Sequence, residues 1–283
     1  LESNNIIDYT VKLDNSKYVY FQHIGVKRNP GNFPFLIQES KHISISNCLL
    51  LGNNSIKIEE GCENIDILNN HFEGNYSRRI FVNGNSGNLV KHINVRNNIL
   101  PNSSGYCIDF TNAKYVEFSE NQISNFYRGI QVKYSDNILI NNNILENGID
   151  FGIDVYTNQF QDSIFINGNR ISGISNAYGI KVRCKNVRIL NNFIHVEGMA
   201  ANNGIYVGSS SDSCKINFNS ISITSANLAS SAIFLEDAEN LDIRNNIFSN
   251  YGGGYAAIIS NNPPDLMIDH NNYFSSGGLT WNL

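Results

Sequence analysis

The residues equipped for chemistry fall into two columns once the segments of the form Gly-Ile-x-Val-x are aligned. These read Gly129–Lys133, Gly152–Tyr156, Gly179–Arg183 and Gly204–Gly208, with relaxed copies at Ser55–Glu59, Arg79–Asn83, Cys107–Thr111, Ala232–Glu236 and Ala257–Ser260. One column runs Leu36, Lys57, Phe81, Asp109, Gln131, Asp154, Lys181, Tyr206, Phe234, Ile259. The other runs Gln38, Glu59, Asn83, Thr111, Lys133, Tyr156, Arg183, Gly208, Glu236, Asn261. In extended chain alternate residues share a face, so both columns point away from the apolar side. If the segments stack as neighbouring strands about 4.8 Å apart, Asp109, Lys133, Asp154, Tyr156, Lys181, Arg183 and Tyr206 share one surface.

Carboxylates, cations and aromatic rings on one face suit a sugar polymer. Asp109 and Asp154 fall two segments apart, roughly 9.6 Å at the backbone, and their carboxyls then fit the ~6.5–9.5 Å separation of an inverting acid and base. Alternatively Lys181, Arg183 or Tyr206 takes a proton beside a uronate carboxylate while the other cations neutralise that carboxylate. This is β-elimination, for which Ca²⁺ on Asp109 and Asp154 is an option and not a requirement. Lys133, Tyr156, Tyr206, Gln131 and Glu236 are the expected substrate-binding residues, and the lysines and arginine point to an acidic polysaccharide. A plain ladder of surface ion pairs, worth 0–1 kcal/mol each, would carry the same residue types.

The elements that position these columns are written in a second recurring segment. His92–Leu100 (HINVRNNIL) returns as Asn64–Phe72, Tyr115–Ile123, Asn137–Leu145, Ser163–Ile171, Asn186–Ile194, Ser213–Ile221, Asn240–Phe248 and Asp265–Tyr273, with weaker copies at Tyr18–Val26 and His42–Leu50. Its seventh residue falls at Ile24, Cys48, Asn70, Asn98, Asn121, Asn143, Asn169, Asn192, Asn219, Asn246 and Asn271, steps of 22 to 28 residues, which is a structural repeat. Each repeat holds two period-2 strands and a short third one after the asparagine, with no sustained helical period. Three short strands do not make a sheet alone; stacked, they pair in parallel with their copies above and below. The expectation is one all-β solenoid domain over 1–283, with 1–17 a leading partial coil and about ten or eleven coils in all. The repeated asparagine is expected to take the left-handed conformation at the bend and to link coil to coil through its amide.

Composition narrows the function classes. A formal charge of -5 and pI near 5.7 leave no basic footprint for nucleic acid, and no apolar run of about 18 residues spans a membrane. The five cysteines, Cys48, Cys62, Cys107, Cys184 and Cys214, have no paired spacing and read as buried thiols. No CxxC or HxxxH occurs, so no zinc site is expected.

With its repeating coils and asparagine turn the chain resembles right-handed parallel β-helix proteins: pectate lyases, polygalacturonases and phage tailspikes. The resemblance runs from about Tyr18 onward. It implies that the asparagine turn separates the second and third sheets, and that the outer face of the first sheet, made by the Gly-Ile-x-Val strands, forms a substrate groove. Loops at Glu197–Asn203, Ser222–Ser231 and Thr157–Asp162 are expected to wall it. The polygalacturonase-type Asn-Thr-Asp, Asp-Asp and Gly-His-Gly motifs and the pectate-lyase-type Arg-x-Pro-x-x-Arg are missing. Met267–Asn271 is similar to a pectate-lyase motif but occupies an ordinary repeat position. The resemblance implies an extracellular protein, secreted or on a virion surface. Leu1–Thr10 shows no capping helix and Trp281–Leu283 falls inside a coil, so flanking domains or a homotrimer are expected to cover the ends. Hydrolysis by Asp109 and Asp154 is the first expectation, elimination the second, and a non-catalytic glycan-binding or structural spike the third.

Overall fold

A computed structural model describes residues 2–3, 9–28, 33–52, 54–74, 76–157, 163–260, 264–277 and 281–282. Every regular element among them is a strand, and no helix is long and apolar enough to cross a membrane. The chain divides into two compact units, Leu1–Leu139 and Ile140–Leu283.

Both units are built the same way. In the first, the second-sheet strands Lys17–Gln22, Lys41–Ser46, Glu63–Leu68, Val90–Arg96 and Ala113–Ser119 pair in parallel, each with the next. In the second, Ile164–Asn167, Val187–Leu190, Lys215–Asn217, Asp242–Arg244 and Met267–Asp269 do the same. The first sheet carries the Gly-Ile-x-Val segments, with Phe81 opposite Asp109 and Asp109 opposite Gln131 in the first unit. In the second, Asp154 lies opposite Lys181, Lys181 opposite Tyr206, and Tyr206 opposite Phe234. The short third-sheet strands follow the asparagines, as at Phe193–Val196 and Ser220–Ile223. Inward Ile and Val side chains are wholly covered, Ile180, Val182, Ile189 and Ile194 among them, each worth about 1.5–3 kcal/mol of burial. All five cysteines are buried and free; burial pushes Cys62 and Cys214 up to about 11 and Cys107 to about 12.

The asparagines form the ladder their register predicts. In the first unit the Asn70 amide donates to Asn98 Oδ1 and that of Asn98 to Asn121 Oδ1, both at 3.0 Å. In the second the chain of donors runs Asn143, Asn169, Asn192, Asn219, Asn246 to Asn271 at 2.8–3.0 Å. Each Oδ1 also accepts a backbone N–H, as Asn219 Oδ1 does from Asn192 N at 2.9 Å. Each amide nitrogen reaches a strand carbonyl as well, as Asn192 does to Ile166 O at 2.9 Å. The left-handed conformation belongs to the residue before the rung, not to the rung: Asn69 (φ 55), Glu120 (φ 58), Asn191 (φ 55) and Phe218 (φ 61). The bend is thus absorbed one residue earlier, most often by another asparagine, the residue type that tolerates this conformation best after glycine.

The register also moves one column. Ala257 pairs with Ile233 and Ile258 with Phe234, so Ile258 and Ser260 continue the outward columns and Ile259, 4% exposed, lies in the core. The doubled Ala256-Ala257 supplies the small residue one place earlier than the alignment on Ala257 assumes. Asn261, and residues 158–162 of the expected loop wall, lie outside the described residues.

Candidate functional site

A glycine decides how the outer face is populated. Along Tyr178–Arg183 the covered residues are Gly179, Ile180 and Val182: two successive inward residues, then alternation. A Cβ on Gly179 would meet Ile194 Cγ2 at 2.4 Å, and one on Gly204 would meet Ile221 Cγ2 at 2.2 Å. The glycine faces the third-sheet isoleucines in the core, and the residue before it turns outward. This adds a third outward column that the two-column alignment misses, in which Arg78, Tyr106 and Arg128 are successive partners in the first unit and Tyr178 stands in the second. Its signal in the sequence is the residue two places before the isoleucine.

In the second unit these columns build a cation–aromatic cluster. Lys181 Nζ lies 4.3 Å from the Tyr178 ring centroid and 5.1 Å from that of Tyr206, and the two rings are 5.1 Å apart. Phe234 packs edge-on against Tyr206 at 5.6 Å, and the Tyr206 hydroxyl donates to Glu236. Arg183 donates to both Asp154 oxygens at 3.1 Å while its guanidinium lies 4.9 Å from the Tyr156 ring. Asp154 thus pairs diagonally with Arg183 rather than with Lys181, its direct strand neighbour, and Lys181 is left between the rings. Gly208 makes room: a Cβ there would meet Arg183 Cγ and Tyr206 Cε1, each at 2.9 Å.

The electrostatics follow from this packing. Burial, then the Arg183 charge, lowers Lys181 from the ordinary 10.5. Burial and the Glu236 hydrogen bond push Tyr206 well above 10, and burial with the Glu236 charge raises Tyr178. The cluster therefore offers an amine whose proton is loosely held beside two phenols that keep theirs.

In the first unit Asp109 is 1% exposed, with Lys133 Nζ at 3.1 Å and Arg78 Nε at 3.7 Å. Arg78 stacks on Phe81 at 4.3 Å. Arg128 stacks on Tyr106 at 4.8 Å and donates to its hydroxyl, and Lys133 Nζ lies 5.7 Å from the same ring. Gln131, opposite Asp109, is buried.

The expected site residues therefore divide. Asp109, Gln131 and Lys133 lie in the first unit; Asp154, Tyr156, Lys181, Arg183, Tyr206 and Glu236 lie in the second. Both aspartates, expected at the surface, are covered, because long side chains from adjoining columns fold over them. Among the described residues no group of three or more His, Cys, Asp or Glu is placed to hold a metal.

Residues 80–180 match a family model described as "Right handed beta helix region". No curated protein matches the chain in sequence. Among solved structures, the chain is similar to the A-module of mannuronan C-5 epimerase AlgE6 from Azotobacter vinelandii, at 12% identity and TM-score 0.52 over 92% of this chain and 77% of that one. It is also similar to a mutant of the periplasmic alginate epimerase AlgG, at 11% identity and TM-score 0.56 over 87% of this chain and 77% of that one. At such identities the likeness speaks for the fold. With its parallel three-strand coils and asparagine ladder, the chain has the fold of a right-handed parallel β-helix.

Proposed function

We propose that the chain processes an acidic extracellular polysaccharide, and that the second-unit cluster acts on a uronate by removing the proton next to its carboxylate. The observation that carries this is Lys181, held between Tyr178 and Tyr206 with its pKa lowered by burial. A lysine so placed is neutral in a larger fraction of molecules near working pH and serves as a base. Arg183 stands beside it to offset charge building on the uronate carboxylate, and the rings offer apolar faces to a sugar. Once the C5 proton moves to Lys181, two outcomes conserve atoms: expulsion of the O4 substituent with formation of a C4–C5 double bond, or return of a proton to the opposite face. The second is the chemistry that the two similar structures are named for, and both begin with the same step.

Hydrolysis by Asp109 and Asp154 is the weaker reading. Asp154 has both oxygens engaged by Arg183, and Asp109 sits beneath Lys133 and Arg78, where neither meets a glycosidic oxygen or a water without displacing a cation. The same engagement argues against Ca²⁺, which takes six to eight oxygen ligands; these residues do not fit it, and no step is routed through it.

The test is incubation with polyuronates in deuterated buffer. Deuterium at C5, from return of a proton, or ultraviolet absorbance from the new C4–C5 double bond, from expulsion of the O4 substituent, supports the reading, and Lys181→Met abolishes whichever signal the parent gives. New reducing ends with neither signal mean hydrolysis. Binding with no chemical change means a glycan-binding module, and either of these two results overturns the proposal.

A further inference from the structure

Charge is absent from one face of the second unit. The stretches 198–211, 216–235, 245–264 and 271–277 contain no Asp, Glu, Lys, Arg or His. They include the third-sheet strands Ser220–Ile223, Ile247–Asn250 and Asn272–Ser275 and the loop that leaves Phe193–Val196. Phe193, Met199, Leu228, Ile247, Tyr251 and Phe274 stand on these strands and loops, each between 45 and 86% exposed. The loops lie against one another. Asn227 Nδ2 donates to Met199 O at 3.3 Å, Ser276 Oγ to Tyr251 O at 2.9 Å, and the Tyr251 and Phe274 rings are 4.9 Å apart.

We infer that this face is the contact between two copies of the chain, related by a two-fold axis. Three observations single out a second copy. The first is area: at roughly 200 Å² for a large side chain, the six present about 700 Å² of mainly apolar surface, more than the ~300–600 Å² of a usual monomer's largest patch. With the serines and alanines between them, the face reaches the ~800 Å² per partner of a standard interface. The second is charge. A chain of formal net charge -5 repels its own copies, and this uncharged face is where they approach at least cost. Charge returns at the edge, in Arg170 opposite Phe193 and in His195 beside Glu197 at 3.6 Å, which gives the apolar centre and polar rim of protein interfaces. The third is shape. Phe193 pairs with Ser220, Ser220 with Ile247, and Ile247 with Asn272, large and small in turn at about 4.8 Å. An axis through the middle of this row sets Ile247 over the partner's Ser220 and Phe193 over the partner's Asn272, so each large side chain meets a smaller one. An isologous contact needs that self-complementarity. An acidic glycan is the poorer occupant, because the face holds no cation to meet it. The inference stands apart from the reading of Lys181.

Sedimentation equilibrium of the whole chain tests it. The expected species is a dimer of about 63 kDa, twice 31.7 kDa, with a dissociation constant of about 1 µM or tighter. Ile247→Glu and Ser220→Lys should each weaken it by about a hundredfold or more, since each sets an unpaired charge in the contact. Mixing the two variants should restore a heterodimer, because the introduced carboxylate then faces the introduced ammonium across the axis. Met267→Lys, at an exposed position on the second sheet, should leave the dimer intact. If either strand variant does not fold, Leu228→Lys, on an exposed loop, should still weaken the dimer. An undiminished dimer in these variants, no rescue on mixing, dissociation by Met267→Lys, a trimer, or a monomer well above that concentration would each overturn the inference. So would a monomer that binds polysaccharide and loses it in Ile247→Glu, which would assign the face to a glycan.

Discussion

Arg183 reaches back one coil to Asp154, placing Nη2 3.1 Å from both carboxylate oxygens. Asp154 is 4% exposed, so this ion pair is largely shielded from water. Arg183→Ala is expected to cost about 1–3 kcal/mol, the range for a buried polar group stripped of a charged partner. Adding Asp154→Asn should recover part of the loss. Urea unfolding of the two single variants and the double gives the coupling, and strict additivity would show that the fork does not act as a pair.

Lys181 carries the clearest pH signature. Its folded value lies below 10.5, so between the two values the unfolded chain binds the proton that the native chain has lost, and stability rises with pH. Lys181→Met should therefore gain over the parent at neutral pH, and the gain should fade as pH climbs through the folded value toward 10.5. Melting temperatures of both proteins across that range check it. Turnover of the parent should climb with pH along a limb lying below the ordinary lysine range.

Tyr206 runs the other way. Because burial and Glu236 raise its pKa, its contribution is intact below 10 and is lost as pH rises from there through the folded value. The ultraviolet difference titration between the parent and Tyr206→Phe should show a phenol ionising above 10. Glu236→Gln should bring it part of the way down and no further, since burial is the larger cause. An ordinary titration in the parent would refute the packing described.

Gly208 is a spacer beneath two working side chains. Gly208→Ala should push Arg183 and Tyr206 apart, cost about 1–3 kcal/mol as overpacking, and lower turnover more than it lowers binding. Circular dichroism separates this from unfolding, and wild-type kinetics would remove Gly208 from any positioning role.

Asn192→Ala should be among the most damaging changes on the second sheet's edge. It deletes donors to Ile166 O and Asn219 Oδ1 and the acceptor of Asn169 N and Nδ2, for about 3 kcal/mol or more. Phe218→Asn should do the reverse and gain about 1 kcal/mol, because Phe218 is 58% exposed at φ 61. Chemical denaturation of the pair tests both signs.

The repeat was readable because one requirement recurs in every coil: an asparagine whose amide meets its copy, and isoleucines that fill a fixed width. That periodicity places Asp109 opposite Gln131 and Asp154 opposite Lys181 correctly. It does not show which long side chain folds over which short one, so the burial of both aspartates and the diagonal reach of Arg183 had no counterpart in the register. Arg78, Tyr106, Arg128 and Tyr178 escaped alignment because strict alternation assigns the residue before the isoleucine to the outside. Glycine in Gly179 and Gly204 marks the opposite, a Cβ direction filled by Ile194 and Ile221. At Ala256-Ala257 two small residues in a row left the frame ambiguous by one.

Within each unit the asparagine rungs point one way, one N–H of each amide toward the next coil and the C=O toward the last. Within each unit their dipoles therefore add along the stacking axis, as peptide dipoles do in a helix, and each rung polarises its neighbours. An interior rung such as Asn192 is then worth more than Asn70, where Cys48 takes the rung position of the preceding coil, although the two asparagines are chemically the same.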